Sequence, residues 1–256
     1  ERRVHDFDPL PYYDNPKEAR RADRSQQMAT ATAAMALEDA GELKSDPARC
    51  GVIYATGVGG LQTFEEQVLV HDRKGERRVS PFMVPMIMPN APGAAISMRF
   101  GLQGPNETIT TACAASTHAI GYATRLIQMG YADVVVSGGT ESVMSPVGMA
   151  GFQNMTALSS SGQSMPFDKD RDGFMMTEGS ATLVLEEMDS ARARGANIYG
   201  EVLGSGSTAD AHHITAPAPG GDGALRCMQL AIEDSGLATN DIASVNAHGT
   251  STPLND

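Results

Sequence analysis

Apolar and polar positions alternate along this chain in two periods, one helical and one strand-like. Residues 22–40 set Met28, Ala31, Met35 and Ala36 at helical spacing, and Gly41 stands where such a helix would stop. Cys50-Gly-Val-Ile-Tyr-Ala-Thr56 then reads as a short buried strand that opens into Gly57-Val58-Gly59-Gly60. A helix is predicted over roughly 61–71, and a basic loop over 73–78. A packed irregular segment follows over 81–92, punctuated by Pro81, Pro85, Pro89 and Pro92, before a helix near 92–100. Ile109 to Cys113 reads as a strand entering a turn, and residues 114–129 as a helix with Ile120, Ala123, Leu126 and Ile127 on one face. Val134-Val-Val136 is a second buried strand running into Gly138-Gly139. Ala181–Glu186 and Gly200–Gly204 are the next two, residues 222–235 are helical, and Ile242–Ala247 forms a strand leading to His248. Strands alternate with helices throughout, so the class is α/β.

One segment occurs twice. Ala36-Leu-Glu-Asp-Ala-Gly41 matches Ala231-Ile-Glu-Asp-Ser-Gly236, and each copy is followed by an apolar strand pattern and a polar turn. The shared order of helix, strand and turn points to two related halves. The boundary is placed at 195/196, giving an N-terminal half 1–195 and the start of a second half over 196–256. The first residue is Glu rather than Met and the last residues follow a polar loop, so both ends read as cut.

Composition narrows the function classes. The 256 residues carry 19 Lys+Arg against 31 Asp+Glu, a formal net charge of −12, which disfavours a nucleic-acid binder because that affinity comes from cations meeting phosphates. No apolar run approaches the roughly 18 residues of a membrane span, and the charged start Glu1-Arg2-Arg3 is unlike a signal peptide. Three scattered cysteines, Cys50, Cys113 and Cys227, without a C-x-x-C, fit a reducing, cytoplasmic setting.

Cys113 is the sharpest chemical candidate. It lies between a strand end and the small-residue helix start Ala114-Ala115-Ser116, the layout of a nucleophile elbow without that motif's glycines. A helix N-terminus favours a thiolate, and backbone N–H groups there can stabilise an oxyanion. His248, before Gly249 at a predicted strand end, is placed to donate a hydrogen bond to a developing enolate, although a backbone-bonded loop histidine reads as well. His118 reads as a packed core histidine. The pair His212-His213 has no third ligand at metal spacing, so a solvated or backbone-bonded pair is expected and no metal site. Gly57-Val-Gly-Gly lacks the Lys-Ser/Thr of a phosphate loop. Two basic clusters, Lys17, Arg20, Arg21, Arg24 and Arg73, Lys74, Arg77, Arg78, stand on an acidic background and suit an acidic partner as well as a solvated face.

Four ordered runs then carry a family resemblance: Thr111-Ala-Cys-Ala-Ala-Ser116, Gly130-Tyr-Ala-Asp-Val-Val-Val-Ser-Gly-Gly-Thr-Glu141, Pro166-Phe-Asp-Lys-Asp-Arg-Asp-Gly173, and Asn246-Ala-His-Gly-Thr-Ser-Thr-Pro-Leu-Asn-Asp256. Together they resemble the beta-ketoacyl-acyl carrier protein synthases, over the whole chain. The resemblance implies a thiolase fold, two related α/β halves in a layered α-β-α-β-α arrangement with the second half incomplete, normally a homodimer. It implies that Cys113 takes an acyl chain from acyl carrier protein and that an enolate from malonyl-acyl carrier protein attacks that thioester. His248 would stabilise the enolate. By the same resemblance Thr250 and Thr252 hold the phosphopantetheine arm, Val58 and Phe152 line the acyl pocket, and Lys17, Arg20, Arg21, Arg77 and Arg78 dock the acidic carrier. A further basic docking position of the family is Thr156 here. No diffusible cofactor is implied.

The family's Lys, second His and Gly-Phe gating loop belong beyond Asp256, and its opening strand before Glu1, so this piece by itself is expected to condense weakly or not at all. Non-condensing relatives carry Gln where Cys113 stands. Rival readings are a polyketide-type ketosynthase on the same fold, a dinucleotide-binding α/β module, and a half-protein that only dimerises.

Overall fold

The computed structural model describes residues 3–256. In chain order the helices and strands are α1 (Pro16–Ala19), α2 (Arg24–Ala40), β1 (Cys50–Ala55), α3 (Leu61–Lys74), α4 (Met83–Ile87), α5 (Ala91–Phe100), β2 (Asn106–Ile109), α6 (Ala115–Gln128), β3 (Val134–Glu141), α7 (Pro146–Asn154), β4 (Gly179–Glu186), α8 (Met188–Ala193) and α9 (Asp222–Ser235). They fall into two compact units, Glu1–Met149 with Thr177–Tyr199, and Ala150–Met176 with Gly200–Asp256.

The first unit is built on a four-stranded sheet of order β2-β1-β3-β4. β1 runs parallel to β2 and β3, and β4 runs antiparallel to β3. All six residues of β1 and the first seven of β3 are buried, as expected of central strands covered on both faces. The two-residue pleat sorts their side chains. Cys50, Val52, Tyr54, Val134 and Val136 pack with Ala29 and Ala33 of α2 and Ile96 of α5. Ile53, Ala55 and Val135 pack on the opposite face with Ala115, Ala119 and Ala123 of α6. Alanines spaced by four residues give each helix a flat stripe on which the sheet sits closely. Each fully buried Val or Ile contributes about 1.5–3 kcal/mol.

Helix α2 starts where Asp23 makes it start. The Asp23 carboxylate accepts from Ser25 N (2.9 Å), and Asp23 N donates back to Gln26 Oε1 (2.7 Å), a reciprocal cap. The other carboxylate oxygen accepts from Thr63 Oγ1 of α3 at 2.6 Å, which fixes the two helices together.

In the second unit α9 packs against the segment around Gly204. Gly204 lies so close to the helix that a Cβ there would sit 2.5 Å from Ser235 N and 2.7 Å from Ala231 O. The strands expected at 200–204 and 242–247 are corrected: both segments are irregular. A helix satisfies its own backbone, whereas a strand needs a neighbour in register, and neither segment forms a ladder among the described residues. The repeated hexapeptide nonetheless plays one role twice. α2 and α9 both end on it, with Gly41 (φ 73°) and Gly236 (φ 70°) as their C-caps.

Smaller differences are local. A short helix, α4, occupies part of the proline-rich segment expected to be irregular. The strand expected to reach Cys113 ends at Ile109.

Candidate active site

The parallel strands bring their C-terminal ends to one edge of the sheet. Ala55 of β1 stands in register with Ile109 of β2 and with Gly139 of β3, so the turns after all three gather there. The chain after β2 enters a short 3-10 turn, Ala112–Ala114, that leads directly into α6. Ala112 sits at φ 50°, a left-handed conformation costing a non-glycine residue about 1–3 kcal/mol. This strained turn holds Cys113 at the surface, one residue short of the α6 N-cap, where the helix macrodipole is positive. Gly139 is required beneath it, because a Cβ there would come within 2.1 Å of Ser116 Oγ in the first turn of α6.

Thr111 and His118 brace the turn. Thr111 Oγ1 lies 2.7 Å from His118 Nδ1, so the chain entering the turn is tied to α6. The reading of His118 as a core histidine is therefore corrected: it is half-buried on the flank of the Ala115/Ala119/Ala123 stripe.

A carboxylate not singled out from the sequence lies beside the same turn. Glu141, the last residue of β3, accepts from Gly57 N at 2.7 Å and Val58 N at 3.2 Å through Oε2, and from Thr56 Oγ1 at 3.3 Å through Oε1. Burial pushes its pKa up, against the opposing effect of hydrogen bonds from Gly57, Thr56, Ser142 and Val58. A Cβ on Gly57 would stand 2.7 Å from Glu141 Oε2 and 3.7 Å from Ala112 Cα, so the carboxylate, the glycine turn and the strained residue before Cys113 share one small volume. The Val58 side chain is 48% exposed at this edge.

In the second unit, His248 is exposed at the start of a loop that turns at Gly249 (φ 56°). Thr250 Oγ1 and Thr252 Oγ1 are 2.8 Å apart, so these two predicted residues are brought together. Ser251, fully buried at φ 62°, locks the loop: its hydroxyl accepts from Met165 N (2.8 Å) and its carbonyl from Gly173 N (2.7 Å). Asp256 accepts from Ser251 N (2.7 Å) and Phe167 N (3.2 Å), and Arg171 donates to the carbonyls of Thr252, Pro253 and Asp256. Donors of Ser159, Ser160 and Ser161 hold the Asp172 carboxyl well below the usual range, which anchors the loop before Gly173. Phe152 packs edge-to-face on Phe174, ring centres 5.9 Å apart.

The basic positions share a region of the first unit. Lys17, Arg20, Arg21, Arg77 and Arg78 are all exposed. Arg21 stacks over Phe82 at 4.2 Å, four residues beyond Arg78, and Gln26 donates to Pro85 O, so the α2 entry adjoins α4 and the residue before it. Arg24 is drawn elsewhere, into a 2.8 Å ion pair with buried Glu178. Of the two adjacent histidines, His213 Nδ1 accepts from Thr215 N (3.2 Å) and Ala216 N (3.0 Å), a backbone-bonded turn as expected. No helix among the described residues is long and apolar enough to cross a membrane.

Residues 1–191 match the family model for the beta-ketoacyl synthase N-terminal domain, and residues 199–256 that for its C-terminal domain. The chain belongs to the beta-ketoacyl synthase family. It is 47% identical over 262 aligned residues to the 3-oxoacyl-[acyl-carrier-protein] synthase 2 of Synechocystis, an alignment covering 99% of this chain and 62% of that protein. The Staphylococcus aureus protein of the same name is 46% identical over 94% of the chain and 61% of its own length. This beta-ketoacyl synthase chain thus spans about three-fifths of those curated relatives. Among solved structures, a beta-ketoacyl synthase from Burkholderia phymatum superposes with a TM-score of 0.89 at 34% identity, over 99% of this chain and 63% of that one. A type II polyketide ketosynthase, solved in complex with its acyl-carrier protein, gives 0.86 at 30% identity, over 91% of this chain and 60% of that one. The expected thiolase-type α/β fold is borne out by these likenesses.

Proposed function

We propose that this chain is the greater part of a 3-oxoacyl-acyl carrier protein synthase that elongates fatty acids by decarboxylative Claisen condensation. The observation that carries the reading is Cys113, exposed on a strained turn at the head of α6. In the reaction, the Cys113 thiolate attacks the carbonyl of an acyl thioester and the phosphopantetheine sulfur leaves as its thiolate, so the acyl chain moves to the enzyme. Malonyl-acyl carrier protein loses carbon dioxide, and the electron pair of the broken bond becomes an enolate. That enolate attacks the Cys113 thioester, the thiolate departs, and 3-oxoacyl-acyl carrier protein is released.

His248 would donate a hydrogen bond to the enolate oxygen, and the paired hydroxyls of Thr250 and Thr252 would receive the phosphopantetheine arm. Val58 and Phe152 would line the acyl pocket. Lys17, Arg20, Arg21, Arg77 and Arg78 would meet the acidic acyl carrier protein, a reading supported by the adjoining of their two segments through Arg21 and Phe82. The substrates bring their own phosphopantetheine, and the reading requires no diffusible cofactor, metal, nucleic acid or membrane. The proposed halves are 1–195 and 196–256, the proposed location cytoplasmic, and the assembly a homodimer. The free outer edge of β2 among the described residues, bonded only to β1, supports a second copy as its partner.

The test is mass spectrometry of the full-length protein after incubation with an acyl-acyl carrier protein or cerulenin. An adduct on Cys113 that disappears in Cys113→Ala is expected; labelling that survives the substitution sinks the assignment. A polyketide ketosynthase is the second reading, favoured by the polyketide neighbour at TM-score 0.86. The 46–47% identity to the fatty-acid enzymes against 30% to that neighbour weighs for the first.

A further inference from the structure

Glu141 does nothing in the reaction as written, yet its setting is unusual for a carboxylate. It closes a strand whose preceding seven residues are all buried, and it spends its oxygens on backbone rather than on a cation. Successive N–H groups of Gly57 and Val58 converge on Oε2, a small anion-holding nest supplied from within the protein. Thr56 completes it, donating to Oε1 and accepting from Gly59 N at 3.1 Å, so three consecutive residues of the turn after β1 hang on one side chain and its hydroxyl neighbour.

That turn carries Val58, and it lies near Ala112. A Cβ on Gly57 would stand 3.7 Å from Ala112 Cα, and Cys113 is the next residue. Displacing the carboxylate would release the turn and let Val58, already 48% exposed, swing relative to the nucleophile. Cys113 itself would keep its own bracing through Thr111 and His118.

We propose that Glu141 is a positioning residue for chain-length selectivity: by clamping Gly57 and Val58 it fixes where Val58 stands beside Cys113, and so which acyl chains the cysteine accepts. The role rests on the acyl-carrying reading above. Glu141 touches no substrate; it acts through Val58.

The experiment measures alkylation of Cys113 in the full-length protein by iodoacetamide and by its N-dodecyl derivative, followed by peptide mass spectrometry. Two variants dislodge the clamp differently. Glu141→Gln removes the charge, and Gly57→Ala pushes the flexible carboxylate aside, since the new Cβ would meet it at 2.7 Å. Circular dichroism shows that each is folded before rates are compared. Wild type should favour the long-chain reagent, and both variants should lose about tenfold of that preference while the small reagent reacts nearly as before. A preference unchanged in the folded variants overturns the positioning role and leaves Cys113 as the acyl carrier. Equal loss with both reagents also overturns it, reducing Glu141 to general structural support. A wild type with no long-chain preference removes the acyl-pocket reading itself, and this role with it.

Discussion

Thr111 Oγ1 and His118 Nδ1 lie 2.7 Å apart, one on each side of Cys113 in the sequence. The bond closes a ring around Cys113: chain exit from β2, left-handed Ala112, Cys113, and the start of α6. A non-glycine residue stays left-handed only when its surroundings over-determine it, and this side-chain bond is one such restraint. Thr111→Val keeps the shape and removes the hydroxyl. Global stability should fall by no more than about 1 kcal/mol, the worth of one exposed hydrogen bond. Alkylation of Cys113 should slow by about tenfold as the turn relaxes. Rates equal to wild type would show that the turn is held without Thr111.

Glu141 makes the opposite prediction for stability. Burial raises its pKa in the folded protein above the unfolded carboxylate value of about 4.3. Between those two values the native state binds more protons than the unfolded one, so stability falls as pH rises through the window and the loss is complete above it. Glu141→Gln carries no such dependence. Urea denaturation at a series of pH values should therefore show wild type losing ground to Glu141→Gln from about pH 4 upwards. A difference that stays flat with pH would mean that the carboxylate is not penalised by burial.

Glu178 works with the other sign. Burial pushes its pKa up, but hydrogen bonds from Arg24, the Ser142 hydroxyl and Val4 N outweigh this, and the net shift is downward. The stability it contributes is present above the unfolded carboxylate value and lost as pH falls through the lowered one. The pair is well enclosed, with side-chain exposures of 24% for Arg24 and 0% for Glu178. Arg24→Met strands a buried charge and should cost about 3 kcal/mol at neutral pH, less once acid neutralises Glu178. Thermal unfolding at pH 7 and pH 4 would show it; an equal penalty at both would assign the cost to the lost stacking of the Arg24 guanidinium over Phe7.

Much of this site can be read from the chain, for identifiable reasons. The fully buried β1 run and the Ala115/Ala119/Ala123 spacing are local patterns, and the turn that carries Cys113 is legible as the start of the small-residue helix. The same spacing places His118 beside the buried stripe rather than in it, a signal present in the sequence and misread. Glu141 was also visible as an acidic residue ending a buried strand, but its partners are 83–85 residues away, at Thr56 to Val58, and no local pattern reports such a contact. The segments at 200–204 and 242–247 have strand-like composition without strand structure, because pairing depends on a neighbour that composition does not supply. Arg24 shows the limit for charge: counted with Lys17, Arg20 and Arg21 as one basic cluster, it is turned inward by a partner 154 residues away.

The remaining basic residues predict how the surface meets an acidic carrier. Arg21 is held over Phe82, while Arg77 and Arg78 follow the α3 terminus and stay exposed, so one stacked cation and two exposed ones stand in neighbouring segments. Arg77→Glu with Arg78→Glu should weaken acyl carrier protein binding by about tenfold to a hundredfold at low salt, and most of the difference should vanish as salt screens the surface. Lys44→Glu is the control. It lies past the far end of α2, whose 17 residues span about 25 Å, so its own reversal of charge, half that of the double variant, should leave affinity nearly untouched. Calorimetric titration with acyl carrier protein at two ionic strengths distinguishes the outcomes. A loss from Lys44→Glu about half that of the double variant in free energy, in proportion to charge, would reduce the effect to net charge, and no loss from the double variant would move the docking surface away from α3 and α4.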